Sequence, residues 1–157
     1  MERFLNEIDY FHFMVELIVK KYVPFVGVYE SKGIDKRNRL VVPSSIVETL
    51  QGRQLEKDKG IIQLYCMIKA GENLFRNQSD EIRFLEFTDY FPRGMDVHDF
   101  CGYERVDISG NSRFNLGEKR RKNFGVDKEA HLVFIGRGDN FVVVEKEKAK
   151  VHLNDLI

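Results

Sequence analysis

A stretch of 22 residues occurs twice in this chain without a gap, at 29–50 and 103–124, at a constant offset of 74. The register sets Tyr29 on Tyr103, Glu30 on Glu104, Ile34 on Ile108 and Arg39 on Arg113. It also lays the apolar Leu40, Val42 and Leu50 on Phe114, Leu116 and Phe124. Modest identity with consistent chemistry at one offset marks two copies of one supersecondary unit. Such units commonly pack as a pseudo-twofold pair, so the chain is expected to contain its own dimer interface.

Composition bounds what the two copies can build. With 157 residues, 43% of them hydrophobic and 32% charged, the chain can bury one ordinary core or two small fused ones. Three prolines and no low-complexity tract argue against a long disordered linker. The formal net charge is zero, so any case for nucleic acid must rest on local clusters. Cys66 and Cys101 lie far apart in sequence and fit a reducing cytoplasm rather than a disulfide framework. His98 and Cys101 have the spacing of two zinc ligands, but no second pair accompanies them, and neither a metal nor a cofactor is expected.

Near the N-terminus, Phe4, Ile8, Phe11, Val15 and Ile18 recur at intervals of three or four, the pattern of an amphipathic helix. Phe13, Met14, Leu17 and Val19 broaden its apolar face, while Asp9, His12 and Glu16 interrupt it and Lys20 and Lys21 follow. A membrane span needs about twenty uninterrupted apolar residues, and the stretch lacks the basic start and cleavage site of a signal peptide. The expectation is a helix packed on the body or on a neighbouring subunit, with no membrane partner. Met14 is an alternative start.

Each copy then reads as strand, tight turn, strand, short helix and further strands. The first copy has a β-prone run at Val23 to Tyr29, turn chemistry from Gly33 to Asn38 and a strand at Leu40 to Val42. Pro43 suits a first helical turn, with Ser44 or Ser45 assisting the cap and Ile46 and Leu50 facing inward. A strand at Ile61 to Ile68 leads to a turn at Ala70 to Asn73. Ser79 to Phe91 fits either a helix or a strand, and Phe91 to Met95 breaks it and joins the halves. In the second copy, Glu118 to Phe124 supplies the helix and Gly125 its stop. Leu132 to Ile135 and Phe141 to Glu145 form a hairpin around Gly136 to Asn140, and a short helical tail starts at Lys146. The expected organisation is an N-terminal helix at 1–22, one repeat at 23–91 and a second at 92–157.

The run Asp35-Lys36-Arg37-Asn38-Arg39-Leu40-Val41-Val42-Pro43 resembles the D-x-x-x-R turn and strand-proline of the MraZ family, within the AbrB/SpoVT swapped-hairpin group of bacterial DNA-binding proteins. The stretch from Gly125 through Val133 to Gly136 and on to Val144 is similar to the end of that family's second repeat. The resemblance spans about residues 23–150. It implies an α+β, β-rich fold: two fused swapped-hairpin repeats forming a pseudo-twofold β-barrel with short helices, here preceded by an N-terminal helix. It further implies a cytoplasmic, nucleoid-associated transcriptional regulator. Its homo-oligomeric rings would contact repeated boxes of double-stranded DNA near cell-division and cell-wall genes.

The local chemistry is compatible. Lys32, Lys36, Arg37 and Arg39 set four positive charges against Asp35 within eight residues. Asn38 stands where the family has glycine and tolerates a left-handed backbone. Asp35 is expected to accept turn N–H groups or brace Arg39, leaving Arg39 to read a guanine edge or grip a phosphate. The alternative is a surface ion pair worth under about 1 kcal/mol.

The second copy keeps Arg113 but has Ser109 for the aspartate, Ser112 for the glycine and Gly117 for the proline. Ser109 can cap a turn, and Asp107 is a possible substitute for the missing carboxylate. Lys119, Arg120, Arg121 and Lys122 add a basic run whose side chains point around much of a helix. From that run Arg121 is the candidate phosphate contact, beside base readout by Arg39 and Arg113; a solvated face offset by Glu118 is the alternative.

Catalytic motifs are missing: there is no Walker loop or nucleophile elbow, and Gly136-Arg137-Gly138 reads as a hairpin turn. The expectation is therefore a DNA-binding regulator and not an enzyme. The alternative function is an oligomeric structural or protein-interaction module that kept the fold and lost DNA recognition.

Overall fold

The strands of each half complete their sheet with strands of the other half. A computed structural model describes residues 10–12, 14–15, 17–20, 22–54, 62–71, 74–76, 78–89, 103–108 and 112–152. His98, Cys101, Ser109 and the 91–95 break lie outside them. Eight strands are described: β1 (Val28–Ser31), β2 (Arg39–Val41), β3 (Ile62–Lys69), β4 (Phe84–Thr88), β5 (Glu104–Ile108), β6 (Arg113–Asn115), β7 (Leu132–Gly136) and β8 (Phe141–Glu145). Three short helices accompany them: α1 (Ser44–Arg53), α2 (Glu118–Phe124) and α3 (Lys146–Ala149). The fold is α+β and strand-rich, with a six-stranded antiparallel sheet in the order β1-β7-β8-β4-β3-β5 and a separate pair, β2-β6.

That order reads the same from either end once the halves are exchanged. β1 pairs with β7 of the second hairpin, while its counterpart β5 pairs with β3 of the first. In these two ladders Glu30 stands opposite Val133 and Glu104 stands opposite Cys66. Leu40 faces Phe114 in the β2-β6 pair, so the two residues matched by the offset of 74 meet each other. The pair is closed by reciprocal bonds, Val42 N–H to Ser112 O at 2.9 Å and Leu116 N–H to Asn38 O at 3.0 Å. Asn38 and Ser112 hold matching left-handed backbones, with φ of 58° and 62°.

The core lies between the inner face of this sheet and the β2-β6 layer with α1 and α2. Ile46 and Leu50, one helical turn apart, turn the buried stripe of α1 inward, and Phe124 does the same for α2. Phe87 stacks on Phe141 at 5.0 Å and receives Phe114 edge-on at 5.3 Å, so β4, β8 and the β2-β6 pair share one aromatic cluster. β4, β7 and β8 are buried on both faces. Phe75, Ile82 and Ala149 cover their outer side, which explains the near-continuous apolar runs.

Several local expectations are corrected. Pro43 is the N-cap of α1 rather than its first turn, and neither Ser44 nor Ser45 caps with its side chain. Residues 23–27 are not strand: Phe25 makes an isolated bridge to Gly138 and β1 begins at Val28. Gly136 permits that approach, since a Cβ there would lie 2.6 Å from the Phe25 backbone. In the ambiguous 79–91 stretch the strand prevails over residues 84–88 because both of its faces are covered. The constant offset lapses beyond the helices: β3 and β7 begin at Ile62 and Leu132, and fourteen residues join β3 to β4 whereas four join β7 to β8.

The helical residues before β1 are held at their C-terminal end by Arg53, which is 1% exposed. Its Nη1 donates to the carbonyls of Lys20 and Val23 at 2.7 Å each, carbonyls that a helix end leaves without internal donors. Nε and Nη2 donate to Asp89 at 3.0 and 3.1 Å, and the guanidinium lies 4.5 Å from the Phe25 ring centre. Arg53→Ala would leave Asp89 buried without this partner and should cost about 3–5 kcal/mol in urea unfolding. Lys122→Ala, which removes an exposed pair with Glu118, should leave the unfolding midpoint almost unchanged. Equal losses in the two variants would refute this ranking.

Candidate nucleic-acid interface

Asp35 organises the turn between β1 and β2. Its Oδ1 accepts the backbone N–H groups of Arg37 and Arg39, each at 2.9 Å, and its Oδ2 accepts Arg39 Nε at 2.8 Å. The turn closes through Asn38 N–H to Asp35 O at 3.1 Å and Asp35 N–H to Arg39 O at 2.9 Å. Five hydrogen bonds within five residues fix the loop, and Gly33 seats its base. Gly33 has φ 86°, and a Cβ there would meet Ala130 O at 1.6 Å. Burial pulls the Asp35 carboxyl upward, but the Arg39 and Arg37 N–H groups and the Arg39 guanidinium outweigh it and hold the group below 3.8.

The same carboxylate serves the second copy. Arg113 Nη1 lies 3.8 Å from Asp35 Oδ2, so two arginines related by the offset of 74 converge on one acid across the β2-β6 pair. Ser109 lies outside the described residues, and Asp107 does not act as the substitute: it faces Arg105 on β5 at 3.8 Å. The side chains of Arg39 and Arg113 keep 30% and 40% of their surface in solvent. Lys32, Lys36 and Arg37 are exposed beside them, and among the described residues no ion pair engages Lys36 or Arg37. A shallow depression of about 230 Å3, lined by Lys32, Asp35, Lys36, Arg113 and Glu129 among others, opens on this face.

Arg121 is half-buried and turned into this assembly. Its Nε donates to Asn38 Oδ1 at 2.8 Å and its Nη1 to Val126 O at 2.9 Å, so it braces the first turn from the second half. Asn38 is likewise a structural member of the turn, since its carbonyl also receives Leu116 N–H and Gly117 N–H. The rest of the basic run disperses: Arg120 turns to Glu104 at 3.4 Å and Lys122 to Glu118 at 3.1 Å. A four-residue basic run on a helix cannot show in sequence which member is captured by a loop far along the chain.

A second polar cluster was not foreseen. Glu86, nearly buried on β4, accepts Tyr103 Oη at 2.6 Å and pairs with Lys69 Nζ at 2.8 Å. Burial raises the Glu86 carboxyl, yet the Lys69 and Tyr103 bonds bring it below the ordinary value; burial and the bond to Glu86 push Tyr103 to about 12. Both carboxylate oxygens are engaged, which makes this a brace between strands. Cys66 is buried and its thiol is pushed up to about 12, mainly by desolvation, so it is not a reactive nucleophile. Among the described residues no group of three or more His, Cys, Asp or Glu gathers to hold a metal, and no helix is long and apolar enough to cross a membrane.

No protein-family model matches this chain, and no curated protein matches it either. The chemistry of the face itself must therefore carry its interpretation.

A depressed carboxyl stabilises the fold above its unfolded value and loses that contribution as pH falls through the folded one. The contribution of Asp35 should thus be complete above pH 3.8 and fade below it. Carbon-detected NMR titration should place Asp35 below 3.8 in the wild type and higher in Arg39→Ala. An unchanged midpoint in the variant would remove Arg39 from the account.

Proposed function

We propose that this protein is a double-stranded DNA-binding regulator of the AbrB/MraZ kind, reading DNA with the face built around Asp35. The observation that carries the reading is the convergence of Arg39 and Arg113 on one partly exposed carboxylate, at the centre of a face where Lys32, Lys36 and Arg37 are exposed. Asp35 holds Arg39 by Nε alone. Among the described residues no hydrogen bond takes its Nη nitrogens, which leaves a planar donor fork for a guanine edge or a phosphate. Lys36 and Arg37 suit phosphate contacts that set orientation. Arg121 and Asn38 enter only as the scaffold that fixes the turn.

The strand exchange between halves supports the finer fold reading, two swapped-hairpin repeats closing into a pseudo-twofold barrel. In this reading one protomer offers a single composite reading face rather than two equal ones. Assembly into a ring would place several such faces along spaced DNA boxes and raise their effective concentration. Association with the nucleoid and control of cell-division or cell-wall genes follow from the family resemblance.

A protein-interaction module is the second reading. The capture of Arg121 by Asn38 and the pairing of Arg120 with Glu104 favour it, because they draw two of the four basic side chains of the second copy's run away from a phosphate.

Fluorescence anisotropy with DNA from immediately upstream of the protein's own gene separates the two. Wild type should prefer that DNA over random sequence, with affinity falling steeply as salt rises. Arg39→Ala should lose about 1–3 kcal/mol on the preferred sequence and much less on random DNA. A folded wild type with no preference would favour the interaction module.

A further inference from the structure

The basic turn around Asp35 has an acidic neighbour from the second half. Glu129 stands on the loop between α2 and β7, and that loop is locked to the base of the turn. Glu129 N–H donates to Ile34 O at 2.9 Å, and Ala130 N–H closes the loop on Asp127 O at 3.2 Å. The carbonyl of Ala130 packs against Gly33 so closely that no side chain fits there. Glu129 holds a left-handed backbone, with φ of 68°, a conformation uncommon for a glutamate. Its side chain is exposed and lines the depression with Lys32, Asp35, Lys36 and Arg113. Among the described residues no hydrogen bond or ion pair engages its carboxylate, although three cations share the depression with it.

We propose that Glu129 is a specificity residue of the Asp35 face, accepting a hydrogen bond from the N4 amino group of a cytosine in the major groove. The inference rests on the DNA-binding reading and adds to it the base that a second side chain selects. A carboxylate accepts hydrogen bonds and donates none, and it repels phosphate. Beside Lys36 and Arg37 it therefore weakens the hold on any sugar-phosphate backbone, and it suits this face only where a base edge meets it. The major groove offers two amino donors, cytosine N4 and adenine N6, and adenine sets its N7 acceptor beside the amino group. The carboxylate and N7 repel each other, so cytosine is the better match. Arg39 as a donor fork takes guanine and Glu129 as an acceptor takes cytosine, so each side chain refuses the other's base. The same charge lowers affinity for DNA without a cytosine at that place, which widens the gap between right and wrong sequences. Rejection of this kind needs a fixed side chain, and the Ile34 bond with the close approach at Gly33 holds its backbone in place.

Selection by the full chain from a duplex library with a randomised core, followed by fluorescence anisotropy on the selected duplex, tests the proposal. The wild type should select a cytosine at one position that Glu129→Gln leaves unselected, with the other positions kept. Replacing that C·G pair should cost the wild type about fivefold in affinity and Glu129→Gln almost nothing. Binding of Glu129→Gln to random DNA should rise about threefold, because a charge that repels phosphate is gone. Glu129→Gly removes the side chain from a left-handed position that glycine accepts freely. It should unfold no earlier than the wild type on heating and show the same loss of the cytosine. Identical selected sequences from the wild type and Glu129→Gln would overturn the inference and leave the DNA reading intact. Early unfolding of Glu129→Gly, with the cytosine retained by Glu129→Gln, would make Glu129 a structural residue and overturn it as well. A folded wild type that selects no sequence would overturn the DNA reading and this inference with it.

Discussion

The exchange of strands between halves is the constraint on which the remaining structure depends. β1 has no ladder within its own half and takes β7, while β5 takes β3. The smallest element, β2-β6, holds this exchange at its centre, where Leu40 meets Phe114 and the aromatic cluster reaches up to it. Placing two equivalent residues opposite each other also brings the residues that flank them together. Arg39 and Arg113 arrive beside one carboxylate for that reason, and the composite face is a geometric product of the dyad.

Around that dyad the halves have diverged in a complementary way. The first supplies the acid, and the second supplies Arg121 to hold Asn38 in place. Pro43 opens one helix with an extended backbone, whereas Gly117 opens the other at φ 80°, a conformation closed to proline. One turn is thus built as the reading element and the other as part of its support.

Much of this was legible in the sequence. The offset of 74 located the first turn, the facing β2-β6 strands and both helices, and it predicted a pseudo-twofold partner. The role of Asp35 followed from turn chemistry, because its partners lie within four residues. What escaped were interactions between residues far apart in the chain. Arg53 ends an otherwise ordinary helix, and nothing local shows that it will be buried against Asp89 and two carbonyls. Arg121 was indistinguishable from its basic neighbours until a loop from the other half captured it. Residues 79–91 were ambiguous because a strand covered on both faces loses the alternation that identifies strands. The apolar pattern at the N-terminus was visible, but the exposure of Phe11 and Ile18 within it was not.

The exchange also bears on how the chain reaches its native state. Val28 pairs with Ile135, a contact between positions more than a hundred residues apart, so the loop-closure entropy falls due before the reward of the ladder. A nascent chain emerging from the ribosome carries β1 long before β7 exists. The first half must wait, with its edge exposed, until β7 has been made.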